Sequence, residues 1–315
     1  MSAPTLETPL RGIIPPLVTP IIDRDQIDVS GTERLLEHVI RGGVHGVFVL
    51  GTTGEGTSFS QSTRCRFVEL ACEVVAGRVP VLVGITETSM SAALELADQA
   101  YASGASAVVS AAPYYLPMTQ QDLLEYTEQL ATALPLPLLI YNMPSCTKTA
   151  FDVDTVRQLI HHENIIGIKD TSGDLDYFAQ VARIVETRED CTLLIGPEEK
   201  LVRSMELGGL GGVNGGANMF PSLYVAMYEA AADGDMKRAH ELQAIVQRIS
   251  NSMYEVTDSG AKVLQGIKAG LSELGICSGI VAPPFRTCRE HERAMISAAI
   301  AEIEPIVQQL SLSQT

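Results

Sequence analysis

The chain has 315 residues, 46% of them hydrophobic, and carries 22 Lys and Arg against 38 Asp and Glu, a formal net charge of −16. A surface of that sign repels nucleic-acid phosphates, and no Lys/Arg cluster offsets it, so no nucleic-acid partner is expected. No apolar run reaches the roughly 18–20 residues of a membrane span, so no membrane partner is expected either, and one α/β barrel of about 250 residues plus a tail fits this length as well as two domains do.

The N-terminal stretch MSAPTLETPLRG lacks a basic region followed by an apolar one and does not read as a secretory leader. Six cysteines (Cys65, Cys72, Cys146, Cys191, Cys277 and Cys288) form no CxxC pair and are scattered over helices, strands and loops. That pattern suits reduced thiols in a cytoplasm better than a disulfide framework or a zinc site. The six histidines show no metal-ligand spacing either.

A short apolar strand followed by a helical stretch recurs about every 25–35 residues. The strand candidates are 13–18, 46–50, 81–85, 107–111, 138–142, 165–169, 193–196 and 212–215. Most are continuous apolar runs, as expected for strands covered on both faces. Between them Leu35, Leu36, Val39 and Ile40 share a helical face, as do Phe67, Val68, Ala71, Val74 and Val75, and Leu175, Phe178, Val181, Ala182 and Val185. Asp152 and Ser172 are candidate N-caps. Eight such units predict a (β/α)8 TIM barrel; a doubly wound sheet is the alternative, but no GxGxxG follows the first strand. From about residue 223 the pattern is helical to the end, with a stop at Gly275, so residues 1–235 are expected to form the barrel and 236–315 a C-terminal helical region.

Candidate chemistry sits at the C-terminal ends of these strands. Gly51-Thr52-Thr53-Gly54-Glu55 offers consecutive turn amides that can cradle a carboxylate and hydroxyls that can relay protons, or it is an ordinary Gly turn. Pro113-Tyr114-Tyr115 supplies a phenol or a packing corner. Tyr141 ends the fifth strand and Lys169 the sixth. Neighbouring strands are about 4.8 Å apart, so phenol and amine can meet above the barrel. A lysine there either snorkels to water or stays in a dry cavity as the neutral amine that attacks carbonyls; its partners favour the second. A phenol beside it can shuttle protons. Glu198 and Glu199 place two carboxylates on the rim, where they hold substrate hydroxyls or simply begin a solvated helix. The run from Gly208 to Gly216, including Asn214 and Gly215, permits close backbone approach to a ligand.

Taken together, GTTGE at 51–55, PYY at 113–115, YNMPS at 141–145 and GIKD at 167–170 resemble the dihydrodipicolinate synthase/N-acetylneuraminate lyase family, from about Arg11 to the C-terminal helices. The resemblance implies a class I aldolase in which Lys169 forms a Schiff base with pyruvate or a related 2-oxo acid, beside Tyr141. It makes Thr52 and Thr53 the carboxylate site, and Thr52, Tyr141 and Tyr115 a proton relay, Tyr115 reaching in from a neighbouring subunit. It also implies a homotetramer, a dimer of tight dimers, with no metal or organic cofactor. Two departures shift the expected aldehyde. Cys146 stands where the synthases of lysine biosynthesis carry an arginine for their semialdehyde's carboxylate, and Lys148 could replace it only as a point charge. Gly56, Gln61, Arg64, Thr88 and Ala92 occupy the positions of the lysine-feedback ligands. GPEE at 196–199 resembles the G-x-D-E run of the neuraminate lyases, whose serine and threonine near the eighth strand are here Gly215 and Gly216. The expected reaction is therefore aldol chemistry on a 2-oxo-3-deoxy sugar acid or similar compound. The alternatives are dihydrodipicolinate synthase and, from another class, a non-catalytic barrel acting as a binding or scaffold protein.

Overall fold

Strands that read as unbroken apolar runs must be covered on both faces, and a ring of helices around a parallel sheet does this. The computed structural model describes residues 6–312; the first residues of the N-terminal stretch lie outside them. Its strands are β1 (Gly12–Ile13), β2 (Ile21–Asp23), β3 (Gln26–Ile27), β4 (Val47–Val49), β5 (Val81–Gly84), β6 (Ala107–Ala111), β7 (Leu138–Asn142), β8 (Ile165–Asp170), β9 (Thr192–Ile195) and β10 (Gly211–Gly212). Eight of them form one parallel sheet in the order β1-β10-β9-β8-β7-β6-β5-β4. A parallel bridge between Pro16 and Phe48 joins its two ends. There Leu17 N–H donates to the Phe48 carbonyl at 2.8 Å and Phe48 N–H to the Pro15 carbonyl at 3.0 Å. The result is a closed (β/α)8 barrel.

Helices α1 (Val29–Arg41), α2 (Gln61–Val75), α3 (Met90–Ala102), α4 (Gln120–Ala133), α5 (Pro144–Thr147), α6 (Val153–Leu159), α7 (Leu175–Val185), α8 (Leu201–Glu206) and α9 (Pro221–Ala232) surround the sheet. The C-terminal extension is α10 (Met236–Met253), α11 (Lys262–Glu273) and α12 (Glu290–Leu312). The apolar faces pack as their spacing predicts: Leu35, Leu36, Val39, Phe67, Val68, Ala71, Val75, Phe178, Val181, Ala182 and Val185 are all buried in one core, which also takes in Leu242, Val246 and Ile249 of α10 and Ile267 and Leu271 of α11. A separate cluster, with Ile14, Phe48, Leu82, Val109, Leu139, Tyr141, Ile166 and Leu194, fills the barrel lumen.

Several sequence expectations are corrected. The first strand shrinks from 13–18 to two residues because Pro15 and Pro16 have no N–H to give to a ladder. The eighth shortens to Gly211–Gly212, since the chain turns into a 3-10 helix at Gly215–Asn218. The hairpin β2–β3 was not foreseen; it presses Ile21 against Phe59 and Ala282. The C-terminal part is not continuously helical: 254–261 and most of 274–289 are irregular, where Gly275 takes φ +70° and Pro283 and Pro284 withhold amides. Asp152 occupies the N-cap of α6 without a side-chain cap bond. Ser172 is no cap; Asp174 accepts from the amides of Asp176 and Tyr177 instead, and Ser172 Oγ donates to Asp170 at 2.9 Å.

One irregularity decides where Lys169 points. Side chains along a strand alternate faces, so a regular β8 would put Ile166 and Ile168 on one side and Lys169 on the other. Ile166 is in the lumen, yet Ile168 packs outward against the helices. The register against β7 explains this: Leu138 pairs with Ile165, but Leu139 pairs with Gly167, a bulge of one residue. The bulge turns Lys169 inward, level with Tyr141. Gly167 is at φ +143°, and a Cβ there would lie 2.0 Å from the Thr192 carbonyl oxygen of β9. Both backbone conformation and contact demand glycine. Gly167→Ala should cost about 3 kcal/mol or more, read as a lower urea midpoint with an unchanged denaturant slope.

Candidate active site

At the C-terminal mouth of the barrel lies an open cavity of about 720 Å³. Lys169, Tyr141, Gly51, Thr52, Thr53, Cys146, Glu198 and Gly215 all line it. Tyr115 and Asn214 do not. Tyr115 stands out in solvent at 83% exposure, next to Leu116 at 70%. Asn214 is fully buried and donates from Nδ2 to the Gly196 carbonyl at 3.0 Å, tying the loop after β10 to the loop after β9.

Lys169 is 3% exposed. Its Nζ sits 3.9 Å from the centre of the Tyr141 ring and 5.0 Å from that of Phe48. Burial pushes the amine down from 10.5 to about 7, with the nearby Cys146 sulfur pulling the other way. Near neutral pH a large share is therefore the free amine, the nucleophilic form. Burial also lifts Tyr141 to about 12, which keeps the phenol protonated. Its hydroxyl lies 3.3 Å from Thr52 Oγ1, a long hydrogen bond in which either oxygen can donate.

The ends of β7 and β8 are locked together behind these groups. Asn142 Nδ2 donates to Asp170 Oδ1 at 2.8 Å, and the Phe151 amide donates to Asn142 Oδ1 at 3.1 Å. Asp170 also accepts from the amide and hydroxyl of Ser172. Burial raises the Asp170 carboxyl, and the bonds from Asn142 and Ser172 oppose that rise. Asn142 and Asp170 face away from the lumen, so Tyr141 and Lys169 are held from behind.

The Gly51–Glu55 turn presents a pair of backbone donors without a protein partner among the described residues. Its internal bonds run from Glu55 N–H to the Thr52 carbonyl at 3.1 Å and from Gly56 N–H to the Gly51 carbonyl at 3.3 Å. The amides of Thr52 and Thr53 donate to no atom among the described residues. Two adjacent free amides beside a buried amine form a cradle for a carboxylate.

Glu198 is not on a solvated rim as the sequence allowed. It is buried, and its carboxylate accepts from Tyr224 Oη at 2.6 Å, Tyr254 Oη at 3.0 Å and the Gly216 amide at 2.8 Å. Burial and the neighbouring Glu199 raise it to about 7. Glu199 accepts from Ser250 Oγ. Cys146 is exposed to the cavity. Lys148, its possible substitute for a positive charge, turns its Nζ to the Ser145 carbonyl at 2.9 Å. Arg64, one of the feedback-pocket positions, is ion-paired with Glu87.

Sequence reasoning missed the residues that reach the cavity from afar. Phe48, the floor beneath Lys169, read only as strand core; its inward position followed from period-2 alternation. Tyr254, Val263, Leu264 and Phe285 of the C-terminal extension also line the mouth, and no local signal marked them.

A lysine whose charged form is disfavoured by burial is a destabilising feature of the fold. Folding lowers this amine's pKa, so the unfolded chain binds the proton more tightly than the folded chain does and is favoured wherever the amine is protonated in the unfolded state. The penalty is full below about 7, shrinks as pH rises, and is gone above 10.5. Lys169→Met should therefore stabilise the protein by about 2–5 kcal/mol at or below neutral pH and by progressively less in alkaline buffer, as urea unfolding across the pH range will read.

Residues 9–303 match the model of the Dihydrodipicolinate synthetase family. The 4-hydroxy-tetrahydrodipicolinate synthase of Methanopyrus kandleri is 33% identical over 296 residues, which are 93% of this chain and 96% of that one. Among solved structures, a dihydrodipicolinate synthase from Bacteroides thetaiotaomicron superposes with a TM-score of 0.92 at 47% identity, covering 94% of this chain and 100% of that chain. YagE, a prophage protein of the dihydrodipicolinic acid synthase family from E. coli K12 solved in complex with pyruvate, superposes with a TM-score of 0.89 at 30% identity, covering 94% and 99%.

Proposed function

The chain belongs to the dihydrodipicolinate synthetase family of pyruvate-dependent lyases and synthases, and from that premise we propose that Lys169 forms a Schiff base with pyruvate or a related 2-oxo acid and joins it to, or releases from it, a small aldehyde. The observation that carries this reading is the Lys169 amine, lowered to about 7 in a cavity it shares with a phenol and two free amides.

The chemistry follows from those groups. The pyruvate carboxylate accepts from the Thr52 and Thr53 amides, which brings C2 to the amine. The neutral amine adds to C2, and Tyr141, coupled to Thr52, returns the proton that lets water leave. The resulting iminium draws electrons from C3, so a C3 proton departs to the relay and an enamine forms. In the condensing direction C3 attacks the aldehyde carbon, the carbonyl oxygen takes a proton from Tyr141, and water hydrolyses the imine. Cleavage is the reverse. The electron sink is the iminium itself, so the scheme needs no metal or organic cofactor. Tyr115 completes the relay from a neighbouring subunit of a homotetramer built as a dimer of dimers; the exposure of Tyr115 and Leu116 supports an assembly that covers this loop.

For the second substrate, the thiol of Cys146 and the engagement of Lys148 Nζ by the Ser145 carbonyl favour an aldehyde without a carboxylate, of the 2-oxo-3-deoxy sugar acid type. With Glu198 committed to three donors, recognition of its hydroxyls falls to the backbone near Gly215. The names of the relatives favour a second reading, 4-hydroxy-tetrahydrodipicolinate synthase, whose aldehyde is aspartate semialdehyde.

Borohydride with pyruvate should add mass to the peptide containing Lys169 and to no other, and Lys169→Ala should abolish it. The initial rate of trapping should rise with pH through about 7 and level off above, because only the deprotonated amine attacks. Tyr141→Phe should fold normally and lower kcat by roughly 10²–10⁴-fold; an unchanged kcat would reduce the tyrosine to packing. Comparison of kcat/KM for aspartate semialdehyde with that for neutral hydroxyaldehydes, pyruvate held fixed, separates the two readings. We expect the neutral aldehydes to be preferred and Cys146→Arg to improve semialdehyde turnover on the order of 10–100-fold, the worth of one arginine–carboxylate contact.

A further inference from the structure

The turn that offers its amides to the carboxylate is strained at both ends. Leu50 and Glu55 have φ of +57° and +54°, a region that side chains other than Gly, Asn and Asp rarely occupy. Such conformations persist only where the surroundings over-determine them. Part of that constraint is local: Thr19 Oγ1 donates to the Gly54 carbonyl at 2.6 Å, and a Cβ on Gly56 or Gly84 would lie 2.2 or 2.4 Å from the Leu50 carbonyl oxygen.

The rest comes from more than 200 residues away. The Glu55 carboxylate leaves the turn, enters the core and forms an ion pair with Lys268 of α11. Lys268 is fully buried. Its Nζ also donates to the Ile280 carbonyl at 2.8 Å, and the Ala282 amide donates to Glu55 Oε1 at 2.7 Å. Turn, α11 and the 280–282 segment thus meet at one pair of charges. Burial pushes Glu55 up and Lys268 down, each opposed by the other's charge. Such a pair is a poor stability device, since well-packed apolar side chains of similar volume often do as well. Its distinguishing property is direction: it fixes where the Glu55 backbone sits.

We propose that Lys268 is a positioning residue for substrate binding, acting through Glu55 to hold the Thr52 and Thr53 amides in the geometry that accepts the 2-oxo acid's carboxylate. This rests on the Schiff-base reading above. It makes a selective claim: loss of the pair should weaken binding of the carboxylate and leave the amine's chemistry alone.

Lys268→Met alone strands a buried carboxylate, so the informative protein is the full chain carrying Glu55→Gln with Lys268→Met, neutral on both sides and close in volume. Borohydride trapping on Lys169 is measured against concentration of pyruvate and, separately, of acetone, a ketone without the carboxylate. In the double variant the pyruvate half-saturation should rise at least about tenfold, equivalent to about 1.4 kcal/mol. The acetone curve and the extent of trapping at saturating pyruvate should stay as in the unaltered protein. An unchanged pyruvate curve overturns the proposal, as does a parallel loss with both ketones or a double variant that does not fold, because either makes the pair a general support. If the unaltered protein traps neither ketone on Lys169, the Schiff-base reading itself falls, and this inference with it.

Discussion

An amine deprived of water is the constraint around which this barrel is arranged. Keeping Lys169 inside the lumen requires that β8 take in one extra residue, Ile166, that the next residue, Gly167, have no side chain, and that β9 close against it at van der Waals limits. It also requires aromatic walls. Phe48 and Tyr141 supply faces that exclude solvent and still interact favourably with whatever ammonium forms. The polar work of holding the strand ends is done on the other side of the sheet by Asn142 and Asp170. Separation of a dry inner face from a hydrogen-bonded outer face lets one short strand carry both a lowered lysine and a buried carboxylate at adjacent positions.

The C-terminal helices are part of this arrangement. The Glu198 carboxylate gathers hydroxyls from α9 and from the end of α10 onto the loop after β9, while α11 meets the loop after β4 through Lys268. Two charged side chains from site loops are therefore consumed in anchoring. The anchors leave the cavity with fewer free charges than its list of acidic and basic neighbours suggests, which is why composition near a site is a weak guide to what the site can bind.

Much of the fold was legible because it is written in local periodicities. The recurrence of short strand-like runs, most of them apolar, located all eight barrel strands, the first and eighth too long, and the i, i+3, i+4 faces of α1, α2 and α7 packed as spaced. That Lys169, Tyr141 and the Gly51–Glu55 turn gather at one cavity was legible because they end barrel strands, whose C-terminal ends share one mouth. What was not legible depended on partners distant in sequence. Gly167 looked like one more small residue in an apolar run; only the register against β7 makes it a bulge. Glu198 looked solvated because the two tyrosines that bury it lie 26 and 56 residues away. Pro15 and Pro16 carried a plain signal against a six-residue first strand, and the apolarity of their neighbours overrode it. Tyr115, expected in the proton relay, stands in solvent and does not line the cavity, because the loop after β6 carries it outward.

The seam between β1 and β4 has a consequence of its own. A parallel sheet that opens at a seam exposes two edges, and an exposed edge of unpaired N–H and C=O groups templates pairing with another chain. Here one edge is built from Gly12-Ile13-Ile14 followed by two prolines, and the closing bonds are given by Leu17 and Phe48. Pro15 and Pro16 have no amide to offer a foreign strand. If thermal motion parts the barrel at this joint, that lip is a poor template, and recombination with its own Phe48 is favoured over growth of an intermolecular sheet. The feature that shortened the first strand thereby also leaves this lip two amides short of what a foreign strand would need to pair with it.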